Sequence, residues 1–253
     1  MPLTGVYSKL ARAKELIDQI AEEEKSFLPS AVRAEETRSK DGKEFRLHVF
    51  AQKELPQRFS ILAGEVVHQL RSSLDHIVWA IALRNTPNPA QRLQFPIFKT
   101  DSDFNNALNN LRDIGTTAID IIRAMQPYNA DEPVSAGLAV LQSLNNADKH
   151  RLLIVTMTAA EIGNDVGVIP GSTPVEIARI WGGERVNVTA QGALAFAIDF
   201  SAPSLDVKIE PSLDLKIVFE KAGDIPSLPL VQGLRQLLEG VSDDVEKLAP
   251  LLA

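Results

Sequence analysis

Three of the four histidines in this 253-residue chain fall in two short polar strings. The first, His68-Gln69-Leu70-Arg71-Ser72-Ser73-Leu74-Asp75-His76, places imidazole, guanidinium, hydroxyl and carboxylate groups close together. The second, Asn145-Asn146-Ala147-Asp148-Lys149-His150-Arg151, adds a carboxylate, a third imidazole and two cations. Histidine titrates near neutrality and suits proton transfer. An arginine fork matches the oxygens of a carboxylate or phosphate. The candidate catalytic residues are therefore Arg71, His76, His68 and Asp75, and the candidate ligand-binding residues are Ser72, Asp148, Lys149, His150 and Arg151.

On a helical wheel at about 100° per residue, the first string falls on one arc of a long helix read over about residues 57–84. His68 reaches Arg71 and Ser72, Arg71 reaches Asp75, and Ser72 reaches His76, all at three- or four-residue spacing. The opposite arc carries Phe59, Ala63, Val66, Leu70, Leu74, Ile77 and Ile81 and is the core face. Because Ile61, Gly64 and Trp79 share the polar arc, the helix is expected to be covered on both sides. Enclosed polar groups need partners, so an Arg71–Asp75 ion pair within a structural network is the alternative to a catalytic site. The second string sits at the end of a helix, where Lys149, His150 and Arg151 are favoured by the helix dipole.

Other chemistries have weaker signatures. His68, Asp75 or His76, with Asp148 and His150, could hold Zn, Mn or Fe, but no tight spacing such as HExxH is present, and no metal ligand is assigned. Neither GxGxxG nor a Walker string occurs, Gly182-Gly183 fits a hairpin, and no cofactor is expected. No serine lies in a nucleophile elbow. Trp181 reads as packing.

The elements that must position these residues follow from periodicity and punctuation. Leu3–Leu28 reads as a helix capped by Thr4 and ended before Pro29. Val32–Thr37 and Glu44–Ala51 form a hairpin across Ser39-Lys40-Asp41-Gly42, with His48 on its polar face. After the long helix, Thr86–Ala90 is a loop and Phe95–Phe98 a short extended piece. Helices are expected from a cap at Asp101 or Ser102 through Leu111, over Thr116–Met125 and over Val134–Asp148. Strand-length runs follow at Leu152–Thr158, Val175–Trp181, Arg185–Thr189, Ala193–Phe200, Asp206–Glu210 and Leu213–Glu220, and Leu228–Leu252 returns to helix. Strands clustered in runs favour an α+β class. The expected fold is a single domain, 1–253, in which a helical bundle around the central helix packs with a mostly antiparallel sheet from a hairpin (32–51) and a C-terminal meander (151–220).

Composition narrows the function. With no cysteine, disulfides, thiolate metal sites and cysteine nucleophiles are excluded. The net charge of −7 argues against a broad electrostatic grip on nucleic acid. The amphipathic N-terminal segment lacks the apolar core of a signal peptide, and no run approaches membrane-spanning length. A cytoplasmic location without membrane association is expected.

Arg71, four intervening residues and His76, with polar Ser72 after the arginine, resemble the motif of the HEPN superfamily of helical domains. That resemblance implies metal-independent ribonuclease activity. Arg71 would hold the phosphate and His76 would move a proton at the ribose 2′-hydroxyl or the leaving oxygen, commonly in a site shared across a homodimer. RNA would then be the partner; read from the residues alone, Arg71, Lys149 and Arg151 could instead form a pocket for a small molecule or a small phosphate-bearing ligand. The superfamily is all-helical, so the likeness leaves 152–220 unaccounted for. The stretch Gly64–Ala82 together with Asn145–Arg151 more closely resembles a set of uncharacterised bacterial proteins that share its leucine-arginine, leucine-aspartate-histidine and aspartate-lysine-histidine-arginine strings.

Overall fold

The computed structural model describes residues 3–132, 136–161, 167–169, 176–203, 206–210, 212–220 and 227–253. The fold is α+β. Its contacts divide into two compact units: Met1–Ala21, Gln57–Ile154 and Phe219–Ala253 in the first, Glu22–Pro56 and Val155–Val218 in the second. Among the described residues no helix is long and apolar enough to cross a membrane.

The first unit is helical. It contains the start of α1 (Thr4–Ala31), then α2 (Arg58–Asn85), α3 (Asp101–Ala107) with a 3-10 turn at Leu108–Ile114, α4 (Thr116–Ala124), α5 (Gly137–Asp148) and α6 (Leu230–Leu248), the last followed by a 3-10 turn at Ala249–Leu252. α2 is the hub, packed by α5, α6 and both 3-10 turns. The seven apolar side chains of its expected core face, from Phe59 to Ile81, are all buried. Thr86 ends the helix in extended conformation, as a residue before proline prefers. Two local expectations are corrected. Thr100, rather than Asp101 or Ser102, caps α3, its hydroxyl accepting the Asp103 N–H at 3.1 Å. The expected helix at Val134 begins at Gly137, and Val134 itself lies outside the described residues.

α1 does not stop before Pro29 but continues through it to Ala31. A proline in the last turn removes a single helical N–H, and the end is completed from outside. The Ser30 hydroxyl donates to the Phe27 carbonyl at 3.0 Å, and the Gln52 N–H to that of Ala31 at 2.8 Å. No loop is needed before the next strand.

The second unit is built from strands. They are β1 (Val32–Arg38), β2 (Glu44–Ala51), β3 (Val155–Glu161), β4 (Gly167–Ile169), β5 (Ile177–Gly182), β6 (Val186–Asn187), β7 (Ala193–Phe200), β8 (Lys208–Glu210) and β9 (Leu213–Phe219). The β1–β2 turn carries Gly42 at φ 69°, which a glycine adopts without strain. The expected single sheet is replaced by two sheets and a ribbon: β1-β2-β7-β5, a sheet containing β9-β3-β6, and β4-β8. The strands therefore do not meander in chain order. The Leu152–Thr158 run also begins later than expected, at Val155, and Val175 lies outside the described residues.

In the first sheet, Phe45, Leu47 and Val49 alternate inward and pair across the strands with Ile198, Phe196 and Ala193. The other face is polar but ordered. Trp181 lies beside two guanidinium groups, Arg46 at 5.5 Å and Arg179 at 5.3 Å from its ring centre. Each arginine is paired, Arg46 with Glu44 at 2.8 Å and Arg179 with Asp199 at 3.2 Å. That face is charge-balanced and has no surplus of cations for a polyanion.

Within this unit the Glu24 side chain is buried, and its Oε1 accepts the Ile217 N–H at 2.7 Å. Burial raises its pKa above the ordinary 4.5, with the backbone hydrogen bond opposing. A raised carboxyl pKa means that the folded chain holds this proton more tightly than the unfolded chain. Its contribution to stability is therefore greatest at low pH and declines as pH rises from 4.5 through the folded value. Glu24→Gln retains a carbonyl acceptor without the charge. Denaturation midpoints measured between pH 4.5 and neutrality should fall less, or rise more, in the variant than in the wild type; parallel profiles would contradict this assignment.

Candidate functional site

α2 presents Arg71 one residue off its core face, and the side chain is 8% exposed. A buried guanidinium must be met by acceptors. Asp75 supplies one at 3.0 Å, four residues on, and the Phe95 carbonyl another at 2.6 Å. Asp75 in turn accepts the Phe95 N–H at 2.8 Å. The pair thus binds both backbone groups of one residue and fixes the apolar segment Phe95–Phe98 against α2. Gln126 adds a second clamp, on the backbone groups of two different residues of the segment. Its amide accepts the Phe98 N–H at 2.9 Å and donates to the Pro96 carbonyl at 3.0 Å. Phe95–Phe98, read from sequence as an extended piece, pairs with no strand and is held by these side chains instead.

Burial lowers the Arg71 pKa and the Asp75 charge opposes the shift, but a guanidinium remains charged. Its Nη1 has no hydrogen-bond partner among the described residues. Arg71 and Asp75 form the ion pair that their spacing permits, and both of their remaining bonds run to Phe95.

The other members of the two strings divide. Asp148 packs directly on α2 at Gly64, where an added Cβ would lie 2.8 Å from the carboxyl carbon. It lies close enough to His68 for that imidazole to lower its pKa, although burial dominates and raises it. Asp148 thus feels the His68 charge without a hydrogen bond or ion pair between the two. Lys149, His150 and Arg151 do not join them: all three are exposed. Their N–H groups close the end of α5 onto the Asn145 and Ala147 carbonyls at 3.0–3.3 Å. Ser72 is half-buried.

His76 is exposed on the same helix, with its Nδ1 3.6 Å from where a Cβ on Gly5 would stand. Burial against α1 and the charge of Lys9 lower its pKa, with Asp75 opposing, which favours the neutral imidazole. Arg71 and His76 do not share surroundings: one is enclosed against Phe95, the other faces solvent. The expectation that α2 is covered on both sides is also corrected. Ile61 is 47% exposed and Trp79 37%, because the 93–98 segment covers the mixed arc only around Arg71. No group of three or more His, Asp or Glu placed to hold a metal ion occurs among the described residues.

Beyond His76 the arc opens into a cavity of about 610 Å³, lined by His76, Trp79, Ala80, Leu83, Arg84 and Leu252. Its volume lies in the range of small-molecule sites. Arg84 Nη1 donates to the carbonyls of Leu251 at 3.1 Å and Ala253 at 2.5 Å, which latches the last 3-10 turn beside the cavity. Sequence reasoning noted Trp79 but assigned no role to Leu83, Arg84 or Leu252. Leu252 is remote in the chain, and no motif links it to the others. Gly64 did carry a signal, since a glycine inside a helix often marks a close approach.

Two expectations follow. Asp75→Ala leaves Arg71 buried without its carboxylate and the Phe95 N–H without an acceptor. It should lower stability by about 2–4 kcal/mol in urea denaturation, while Asp75→Asn, which keeps an acceptor oxygen, should lower it less; no loss in Asp75→Ala would refute the clamp. Gly64→Ala should destabilise by about 1–3 kcal/mol through overpacking. Adding Asp148→Ala should recover part of that loss, so additive effects would argue against the contact.

Comparison with known protein families, with curated proteins and with solved structures finds no match for this chain.

Proposed function

We propose that the helical unit is a small-ligand-binding module whose site is the cavity along Trp79 and Leu83, with the Arg71–Asp75 network as its scaffold. One observation carries this reading. Arg71 and Asp75, two of the four candidate catalytic side chains, are engaged in holding Phe95, whereas exposed aromatic and aliphatic groups converge around an open volume of about 610 Å³. Large apolar side chains left exposed beside one another mark a binding surface more often than scattered ones do. Trp79, Ala80, Leu83 and Leu252 supply an apolar wall, and His76 and Arg84 supply polar ends.

A ribonuclease reading with Arg71 and His76 requires the guanidinium on a phosphate and the imidazole within reach of the same nucleotide. A neutral His76 suits a proton acceptor, but the enclosure of Arg71 gives no support for the phosphate contact.

Trp79 lines the cavity, and comparison of the wild type with Trp79→Phe separates its signal from that of the other tryptophan, Trp181. Titration with the uncharged dye N-phenyl-1-naphthylamine should give saturable energy transfer from Trp79 at one dye per chain. Trp79→Phe should abolish the transfer, and Leu83→Glu should abolish binding while the fold is retained by circular dichroism. Dye that fails to bind the wild type, or that binds Leu83→Glu equally, would refute the site. Labelled single-stranded RNA incubated with the same sample in EDTA should remain intact; cleavage lost in both Arg71→Ala and His76→Ala would establish the ribonuclease reading in its place.

A further inference from the structure

We infer that the ligand of this cavity is an amphipathic carboxylate whose head is held by the side edge of Arg84, an assignment that rests on the binding reading above. Both hydrogen bonds of Arg84 use a single nitrogen, Nη1, and both run to main-chain oxygens of the 251–253 segment. Those bonds orient the guanidinium. They leave its other edge, the Nε–H and Nη2–H pair, without a hydrogen-bond partner among the described residues. Two parallel N–H groups on that edge match the two oxygens of a carboxylate, a geometry that a point-charge ammonium does not offer.

The remaining lining fits the rest of such a molecule. Trp79, Ala80, Leu83 and Leu252 offer no hydrogen bond to the ligand body except through the indole N–H, so an alkyl or aryl chain suits them. His76 and Arg84 are eight residues apart on one helix, a rise of about 12 Å. The cavity is therefore long enough for a chain of about eight carbons laid along α2, with its head at Arg84 and its tail toward His76. The nearest carboxylate to His76 on its own helix is Asp75, and Lys9 faces it from α1. No carboxylate or ammonium side chain is among the groups lining the cavity, so Arg84 is the one permanently charged side chain in that lining among the described residues.

The test is a titration of Trp79 emission with octanoate and, separately, with octan-1-ol, below the micelle range of either. Octanoate should bind at least about tenfold more tightly than octanol to the wild type. Arg84→Lys keeps the positive charge but has no side edge, and should reduce that preference to about twofold or less; the acid-to-alcohol ratio is the readout, because any loosening of the 251–253 latch acts on both compounds alike. Equal affinity of the wild type for the acid and the alcohol would overturn the carboxylate assignment and leave the cavity as a neutral binding site. A preference that survives in both Arg84→Lys and Arg84→Ala would place the head elsewhere and likewise overturn it. If neither compound binds and the dye does not either, the binding reading itself fails. Sedimentation of the wild type covers a further outcome: a dimer that Trp79→Glu converts to monomer would assign the face to a second copy of the chain and overturn the carboxylate assignment.

Discussion

A guanidinium taken out of water must be surrounded by acceptors, and much of the helical unit is arranged around meeting that demand for Arg71. Its carboxylate partner lies one turn along the same helix, but a single carboxylate leaves donors over. The chain supplies a further acceptor by bringing the Phe95 carbonyl to 2.6 Å, and Asp75 takes the N–H of the same residue. The bonds are mutually dependent. Without Phe95 the arginine is under-solvated, and without the ion pair a strandless apolar segment has nothing to bind its backbone groups. Gln126 extends the arrangement, so that Phe95–Phe98 is tied to α2 and α4 by side chains where a sheet would have used backbone.

Fixing that segment also determines which part of α2 stays open. The helix is buried along one face by α5, α6 and the 3-10 turns. On the other face the 93–98 segment covers Arg71, and Asp148 fills the notch at Gly64. What remains is the stretch from His76 to Arg84, where Trp79 and Leu83 are exposed although their chemistry favours burial. A rigid helix bearing exposed apolar groups beside a latched 3-10 turn is a preorganised surface. Preorganisation lowers the entropic cost of binding a small molecule.

The strand unit makes a different use of arginine. Arg46 and Arg179 stand over Trp181 on a half-open sheet face, each beside its own carboxylate. These pairs keep hydrated partners, so each contributes little singly. Together they cover the indole and leave the face near neutral. Arg71 is enclosed and depends on every bond it makes; these arginines are solvated and do not.

Much of this was legible in the order of residues. The core stripe of α2, the Asp-Gly turn, the alternation of Phe45, Leu47 and Val49 and the α+β class follow from local periodicity, because helices and strands expose their spacing directly in the sequence. The Arg71–Asp75 pair was legible for the same reason, since both residues lie on one helix. Only the tertiary structure decided that Phe95 completes the pair, that Asp148 packs at Gly64 while His150 stays exposed, and that strands close in sequence separate into two sheets. It also decided that Leu252 returns to line a cavity with Trp79. Each of those contacts joins positions far apart in the chain, and local spacing carries no record of which distant backbone group will arrive to satisfy a buried charge. The string around Arg71 thus determined where a buried charge would lie; the return of the chain at Phe95 decided which groups would meet it.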